Sequence, residues 1–363
     1  MDPSEHFAAS YGEARHKFGV AAGARGLAID AHVMPDRRGI DGEVLAMDVA
    51  RLGDRAASGL LLITSATHGI EGYCGSGCQI GLLRDDAFVD GVRDARLAVL
   101  FVHAVNPYGF SHGRRVNEDN VDLNRNFRDF AAPLPANAAY AEIHSLLVPA
   151  TWPPPPENEA RIGAYIAKHG ERAWQAAVSI GQHAYPDGLF FGGTQPTWSN
   201  RMLRAVLREH GASCRRLAWI DIHTGLGPRG HGEKIYAGRD AAANMERAKR
   251  WWGADITSFY EGSSTSAAVT GTVTLAAYDE CPQAEYSAIG LEYGTRPLPE
   301  VFNALRADHW RHNHPEASAA QREAIGIEMR RAFYDDAPDW QQTVYAQARV
   351  AAVNAMRHLQ PTG

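Results

Sequence analysis

Lysine is almost missing from this chain. Four of its 36 basic residues are Lys (Lys17, Lys168, Lys234 and Lys249), and the rest are Arg. Basic residues are also outnumbered by 42 acidic ones, for a formal charge of −6. That balance gives no electrostatic reason to expect a nucleic-acid or membrane-surface partner. Cysteine is scarce too: Cys74, Cys78, Cys214 and Cys281 are too few for a disulfide scaffold and read as free thiols in a reducing compartment. No run of 18 apolar residues occurs, which excludes a transmembrane helix. The first 18 residues (MDPSEHFAASYGEARHKF) are charged throughout and lack an apolar h-region. No signal peptide is visible, and a cytoplasmic location is expected. Internal repeats and low-complexity tracts are absent as well.

What is present is a globular composition. Of 363 residues 45% are hydrophobic, enough for a sizeable core. A prior of ~150 residues per domain allows two domains or one large α/β unit. Four short, nearly continuous apolar runs read as strands buried on both faces: 59–67, 95–105, 217–222 and 288–293. Helical patterns lie between them, at 70–83, 200–210 and 241–252, and two more close the chain at 315–334 and 338–359. Such alternation predicts an α/β fold with a single mixed, largely parallel twisted sheet flanked by helices. Pro153 to Pro156 cannot be helix or central strand and reads as part of a surface excursion.

With 16 histidines and so many arginines, position rather than abundance must carry any argument about chemistry. His68 and Glu71 stand three apart where the first buried strand gives way to a helix. In open α/β sheets functional groups collect at the carboxyl ends of strands. Imidazole with carboxylate at this spacing suits zinc; alone, the pair is weak, and a satisfied His beside a helix-start Glu is the commoner arrangement. His223 ends another apolar strand, with Asp221 two residues before it as a partner that could orient an imidazole. Glu292 sits within or at the end of a fourth. A carboxylate there is costly to bury unless paired or functional. The loop 106–127 holds Arg114, Arg115 and Arg125, with Asn124 adjacent. Singly these are solvated guanidiniums; grouped after a sheet strand they suit a carboxylate clamp.

The ordered set, comprising H-x-x-E, N-P-x-G, R-x-N, V-D-L-N-R-N-F, a strand-end His and a late strand-borne Glu, resembles the zinc carboxypeptidase (funnelin) family. The segments HGIEG, GQHAYPDGLFFGG, DIHTGLGP and GLEYGT are similar to a bacterial branch of that family with few characterised members. The resemblance implies one Zn2+ held by His68, Glu71 and His223. It implies Glu292 as general base, Arg115 as the arginine polarising the scissile carbonyl, and Asn124 and Arg125 as the pair holding a substrate carboxylate. Arg114 stands beside Arg115 as the alternative. His223 is followed by Thr224-Gly225, a feature closer to the aspartoacylase and succinylglutamate desuccinylase relatives. A substrate-capping Tyr has Tyr278 and then Tyr286 as candidates.

The expectation is therefore a zinc-dependent hydrolase of a peptide or amide bond in a small substrate with a free carboxylate. The alternatives are an N-acyl amino acid amidohydrolase or a catalytically silent carboxylate-binding relative. Because ligands from residue 68 to a base at 292 must converge, one zinc-hydrolase domain over 1–363 is expected. Its catalytic sheet would span about 55–300, with a helical extension at about 300–363. Three other signals are set aside. Gly192-Gly193 reads as a turn, Cys74 and Cys78 as packing residues, and His309, His312 and His314 as a solvated cluster.

Overall fold

The structure, a computed structural model, describes residues 3–360, so the ends of the chain expected at 1–2 and 361–363 lie outside the described residues. Its centre is a seven-stranded sheet built from β1 (Ile29–Arg38), β2 (Val44–Leu52), β3 (Gly59–Thr64), β4 (Ala98–His103), β5 (Arg216–Arg229), β6 (Gly232–Tyr236) and β7 (Glu285–Gly294). The strand order is β1-β2-β4-β3-β5-β7-β6. β4, β3, β5 and β7 run parallel, and β1, β2 and β6 are antiparallel at the margins. The expected mixed, largely parallel sheet is present.

Before the first parallel pair comes α1 (Tyr11–Ala24), and between β3 and β4 come α2 (Gly72–Arg84) and α3 (Asp86–Asp94). From β4 to β5 the chain passes through α4 (Pro107–Ser111), α5 (Ala138–Leu147), α6 (Pro156–His169), α7 (Glu171–Ser179) and α8 (Trp198–Gly211). Next are α9 (Ala242–Trp252) and α10 (Ala276–Glu280). The chain closes with α11 (Leu298–Asn313), α12 (Ala319–Phe333) and α13 (Pro338–Leu359). Among the described residues no helix is long and apolar enough to cross a membrane.

Strand alternation sends apolar side chains to both faces. Leu61 and Ile63 of β3 pack with Phe18 of α1, Ile80 of α2 and Val344 of α13. Leu60 and Leu62 pack on the other face with Leu203 and Leu207 of α8 and Ala277 of α10. Truncating one of these leucines to Ala is a loss of roughly 2–5 kcal/mol.

Two expectations need correction. The sheet starts at Ile29, not near residue 55, because β1 and β2 form an antiparallel flank. Their sequences hide it: β1 is exposed at most positions, and the buried Asp48 of β2 is held by the Arg15 guanidinium at 2.6 Å. The proline run does not exclude helix throughout, since Pro156 opens α6 at a position whose N–H would be unbonded anyway. The expected C-terminal helical extension is present and packed on the sheet. α13 packs on β3 and β5, and the Thr224 hydroxyl of β5 donates to the Phe333 carbonyl at the end of α12.

Candidate metal and substrate site

His68 and Glu71 occupy the turn that joins the carboxyl end of β3 to α2, with residues 69–71 forming one 3-10 turn. Gly69 makes that turn possible: a Cβ there would lie 2.0 Å from the backbone of Gly109. β5 lies beside β3, with Asp221 paired to Thr64, and brings His223 to the same end of the sheet. β7 pairs with β5 so that Glu292 stands directly opposite His223. Four residues spread over 225 positions are thereby brought together by strand register.

Both imidazoles are held the same way. His68 Nε2 donates to Asp122 Oδ1 at 3.2 Å, and His223 Nε2 donates to Asp221 Oδ2 at 2.7 Å. The opposite nitrogens face Glu71: His68 Nδ1 is 2.9 Å from Oε1 and His223 Nδ1 is 2.8 Å from Oε2. With each ring giving its Nε2 proton to an aspartate, a neutral ring turns a lone pair toward a carboxylate oxygen. Two acceptors at that separation require a cation between them, either a proton or a metal ion. The three side chains are buried, and their ligand atoms lie within 4.8 Å of one another.

The electrostatics follow from this enclosure. Burial alone would raise the Glu71 carboxyl, but His68 and His223 bring it down to about 2. Burial would lower the His223 imidazole, yet Asp221 and Glu71 hold it well above its ordinary value. The Asp122 carboxyl, despite burial, is held well below the usual range by Arg115, Arg125 and His68. Glu292 is pushed up to about 8 by burial and then by the charge of Glu71, while Leu226 N–H donates to its Oε1 at 3.0 Å. Asp221 is fixed in turn by the hydroxyls of Thr64 and Thr67, at 2.6 and 2.8 Å from its Oδ1.

The cluster opens into a cavity of about 490 Å³. Arg115, Asn124 and Arg125 line it, and the Phe190 ring lies against both guanidiniums. Arg115 reaches Glu71 at 3.3 Å and Asp122 at 3.2 Å. Arg125 is largely committed to backbone: Nε and Nη2 both donate to the Ser179 carbonyl, and Nη1 donates to that of Asn124. Asn124 accepts from Val273 N–H at 3.0 Å. The far wall carries apolar side chains, Ile162 and Ile166 of α6, Trp174 and Val178 of α7, and Val301 and Phe302 of α11, with Glu159, Glu171 and Arg306 of the same helices beside them.

Arg114 does not join its neighbour. Its Nε donates to Asp308 Oδ2 at 3.0 Å and its Nη2 to Asn120, away from the cavity. Successive residues of a turn point apart, so the clamp of three arginines reduces to two. Neither Tyr278 nor Tyr286 lines the cavity: Tyr278 lies under Arg239, and the buried Tyr286 donates to the Thr274 carbonyl. Of the three histidines expected to be solvated, His309 is instead buried with Nδ1 bonded to the Leu305 carbonyl, whereas His312 is exposed. Asp122 is absent from the sequence expectation. Its signal was the V-D-L-N-R-N-F segment, where attention falls on Asn124 and Arg125.

No curated protein matches the chain. Among solved structures it is similar to thrombin-activatable fibrinolysis inhibitor, with a TM-score of 0.53 at 12% identity over 96% of this chain and 74% of that one. The bovine form of that protein, in complex with tick carboxypeptidase inhibitor, gives 0.50 at 13% identity over 98% of each chain. Carboxypeptidase A from Helicoverpa armigera gives 0.47 at 13% identity, over 96% of this chain and 74% of that one. The first two of these likenesses establish the fold, which is the carboxypeptidase-like α/β fold. The model of one family, described as "Protein of unknown function (DUF2817)", matches residues 7–347, and the chain belongs to that family.

Proposed function

We propose that the chain is a zinc-dependent hydrolase that cleaves a peptide or amide bond in a substrate carrying a free carboxylate. The observation that carries this reading is the pair of imidazole Nδ1 atoms facing one carboxylate, each ring fixed from behind by an aspartate. Two histidines and one glutamate are a known catalytic zinc set, and His68, Glu71 and His223 would hold the ion. When bound, zinc supplies Lewis-acid polarisation of a carbonyl and makes water acidic near neutral pH.

The remaining steps belong to the side chains. Glu292 takes the proton from the attacking water and later delivers it to the leaving amine; a carboxyl pushed up toward neutrality suits both transfers. Arg115 stabilises the negative oxygen that develops on the substrate carbonyl. Arg125 and the amide nitrogen of Asn124 hold the substrate carboxylate, Arg125 through the guanidinium hydrogens not used on backbone carbonyls. Asp122 and Asp221 keep the two rings oriented. Acting on one sheet, these residues make the chain a single catalytic unit.

A second reading is favoured by the apolar side chains of α6, α7 and α11, which suit an acyl group: an N-acyl amino acid amidohydrolase. Untagged protein purified without added zinc tests both. Near-stoichiometric zinc with cleavage of dipeptides or longer peptides supports the peptidase. Zinc with cleavage confined to N-acyl amino acids supports the amidohydrolase. Absence of zinc and of all hydrolysis would leave a carboxylate-binding protein.

A further inference from the structure

A second group of ligand-type side chains lies at the margin of the sheet, between the outermost strand β1 and the end of α8. Asp30 and His32 stand two apart on β1, and Glu209 and His210 close α8. α8 leads directly into the start of β5, where Arg216 pairs with Gly59. Asp30 pairs with Val49 and His32 with Met47 of β2, and Val49 and Met47 pack in one core cluster with Leu203 and Leu207 of α8. No member of the group lines the cavity.

The carboxylates of Asp30 and Glu209 and one ring nitrogen of His210 all lie within 4.8 Å of one another. His32 Nε2 is 3.4 Å from Asp30 Oδ2. His210 is the informative member. Its side chain is 4% exposed, its Nε2 is 3.8 Å from Glu209 Oε1, and neither ring nitrogen has a hydrogen-bond partner among the described residues. His32 Nε2 is likewise buried without one. A buried imidazole with both nitrogens unbonded forgoes about 1–3 kcal/mol per polar atom, a cost that an ion or an ordered water at those nitrogens would relieve.

We propose that Asp30, Glu209 and His210, with His32 as a fourth donor, bind a divalent transition-metal ion of the zinc class. Two imidazoles with two carboxylates suit zinc or cobalt better than calcium or magnesium, which prefer oxygen alone. Two like charges compensate the ion. The Arg55 guanidinium that now touches Glu209 at 3.0 Å is an exposed partner, readily displaced. The ion would tie the margin strand β1 to the end of α8. The site stands apart from the proposed activity and holds whether or not the cavity is catalytic.

The test is zinc titration of chelator-treated, untagged, full-length protein at micromolar free metal, followed by calorimetry and by melting temperature. Glu71→Gln removes a ligand of the cavity and isolates the second site. In that background we expect about one zinc per chain and a raised melting temperature, with affinity falling about tenfold or more in Glu71→Gln/Asp30→Asn. Glu71→Gln/His210→Ala should lose the equivalent. Should the buried His210 change prevent folding, the exposed Asp30 variant still decides. The proposal is overturned when Glu71→Gln alone binds no zinc, binds it only at millimolar concentration, or keeps its affinity through both second substitutions.

Discussion

The cavity and the neighbouring face of α11 are built from the same materials, and they differ in how the charges meet. In the cavity, buried His68 and His223 are each flanked by two carboxylates, and His223 is held well above its ordinary pKa. On α11, buried His309 faces the Arg114 guanidinium as well as Asp308, and burial with that charge brings it down to about 4. Burial alone makes a histidine neutral and inert. Only opposed carboxylates turn it into a site that calls for a cation.

Arg114 and Arg115 divide along this line, and their substitution gives the largest contrast. Arg114→Ala strips Asp308 of a buried partner and should cost roughly 3–5 kcal/mol of stability. The protein that remains folded should hydrolyse substrate within a few-fold of the parent. Arg115→Ala should do the reverse, lowering kcat/KM by about 10²-fold or more with a smaller loss in melting temperature. Catalytic loss in Arg114→Ala at unchanged melting temperature would erase the distinction.

Acid sharpens the comparison from the other side. The folded pKa of His309 lies below its unfolded value, so the stability tied to its neutral form is complete above about 6.5 and is lost as pH falls through about 4. The full difference is on the order of 3 kcal/mol. His309→Gln should therefore lose less stability than the parent in urea unfolding between pH 6.5 and 4. His223 has the opposite sign, its contribution being complete below its unfolded pKa and lost as pH rises through the folded one. Parallel curves for the parent and His309→Gln would show that this ring is not held neutral.

The smallest effect concerns the aspartates behind the rings. Asp221→Asn keeps a hydrogen-bond acceptor but removes the charge behind His223, and zinc affinity should fall about 10–100-fold, read by competition with a chelator. Unchanged affinity would mean that the ring needs no such support.

Much of this was open to reading in the sequence, for physical reasons. β3, β4, β5 and β7 are buried on both faces, so each is an apolar run that announces itself. A polar residue at the end of such a run, as with His68, His223 and Glu292, stands out against it. The rest depends on distance along the chain. Arg114 and Arg115 cannot be told apart until Asp308, 194 residues later, takes one of them. His309 in an HWRHNH segment resembles a wet surface until α11 packs it inside. The apolar side chains from α6 and α7 belong to a proline-led excursion that carries no motif, and β1 is too exposed to show strand alternation.

The central claim is that Glu292 moves the proton in a zinc-dependent hydrolysis, and Glu292→Gln addresses it most directly. Parent and variant are loaded with zinc and assayed on peptides and N-acyl amino acids, with metal content measured on the same samples. The variant should hold as much zinc as the parent and lose about 10²–10⁴-fold in kcat. Turnover equal to the parent's at equal zinc would contradict the account.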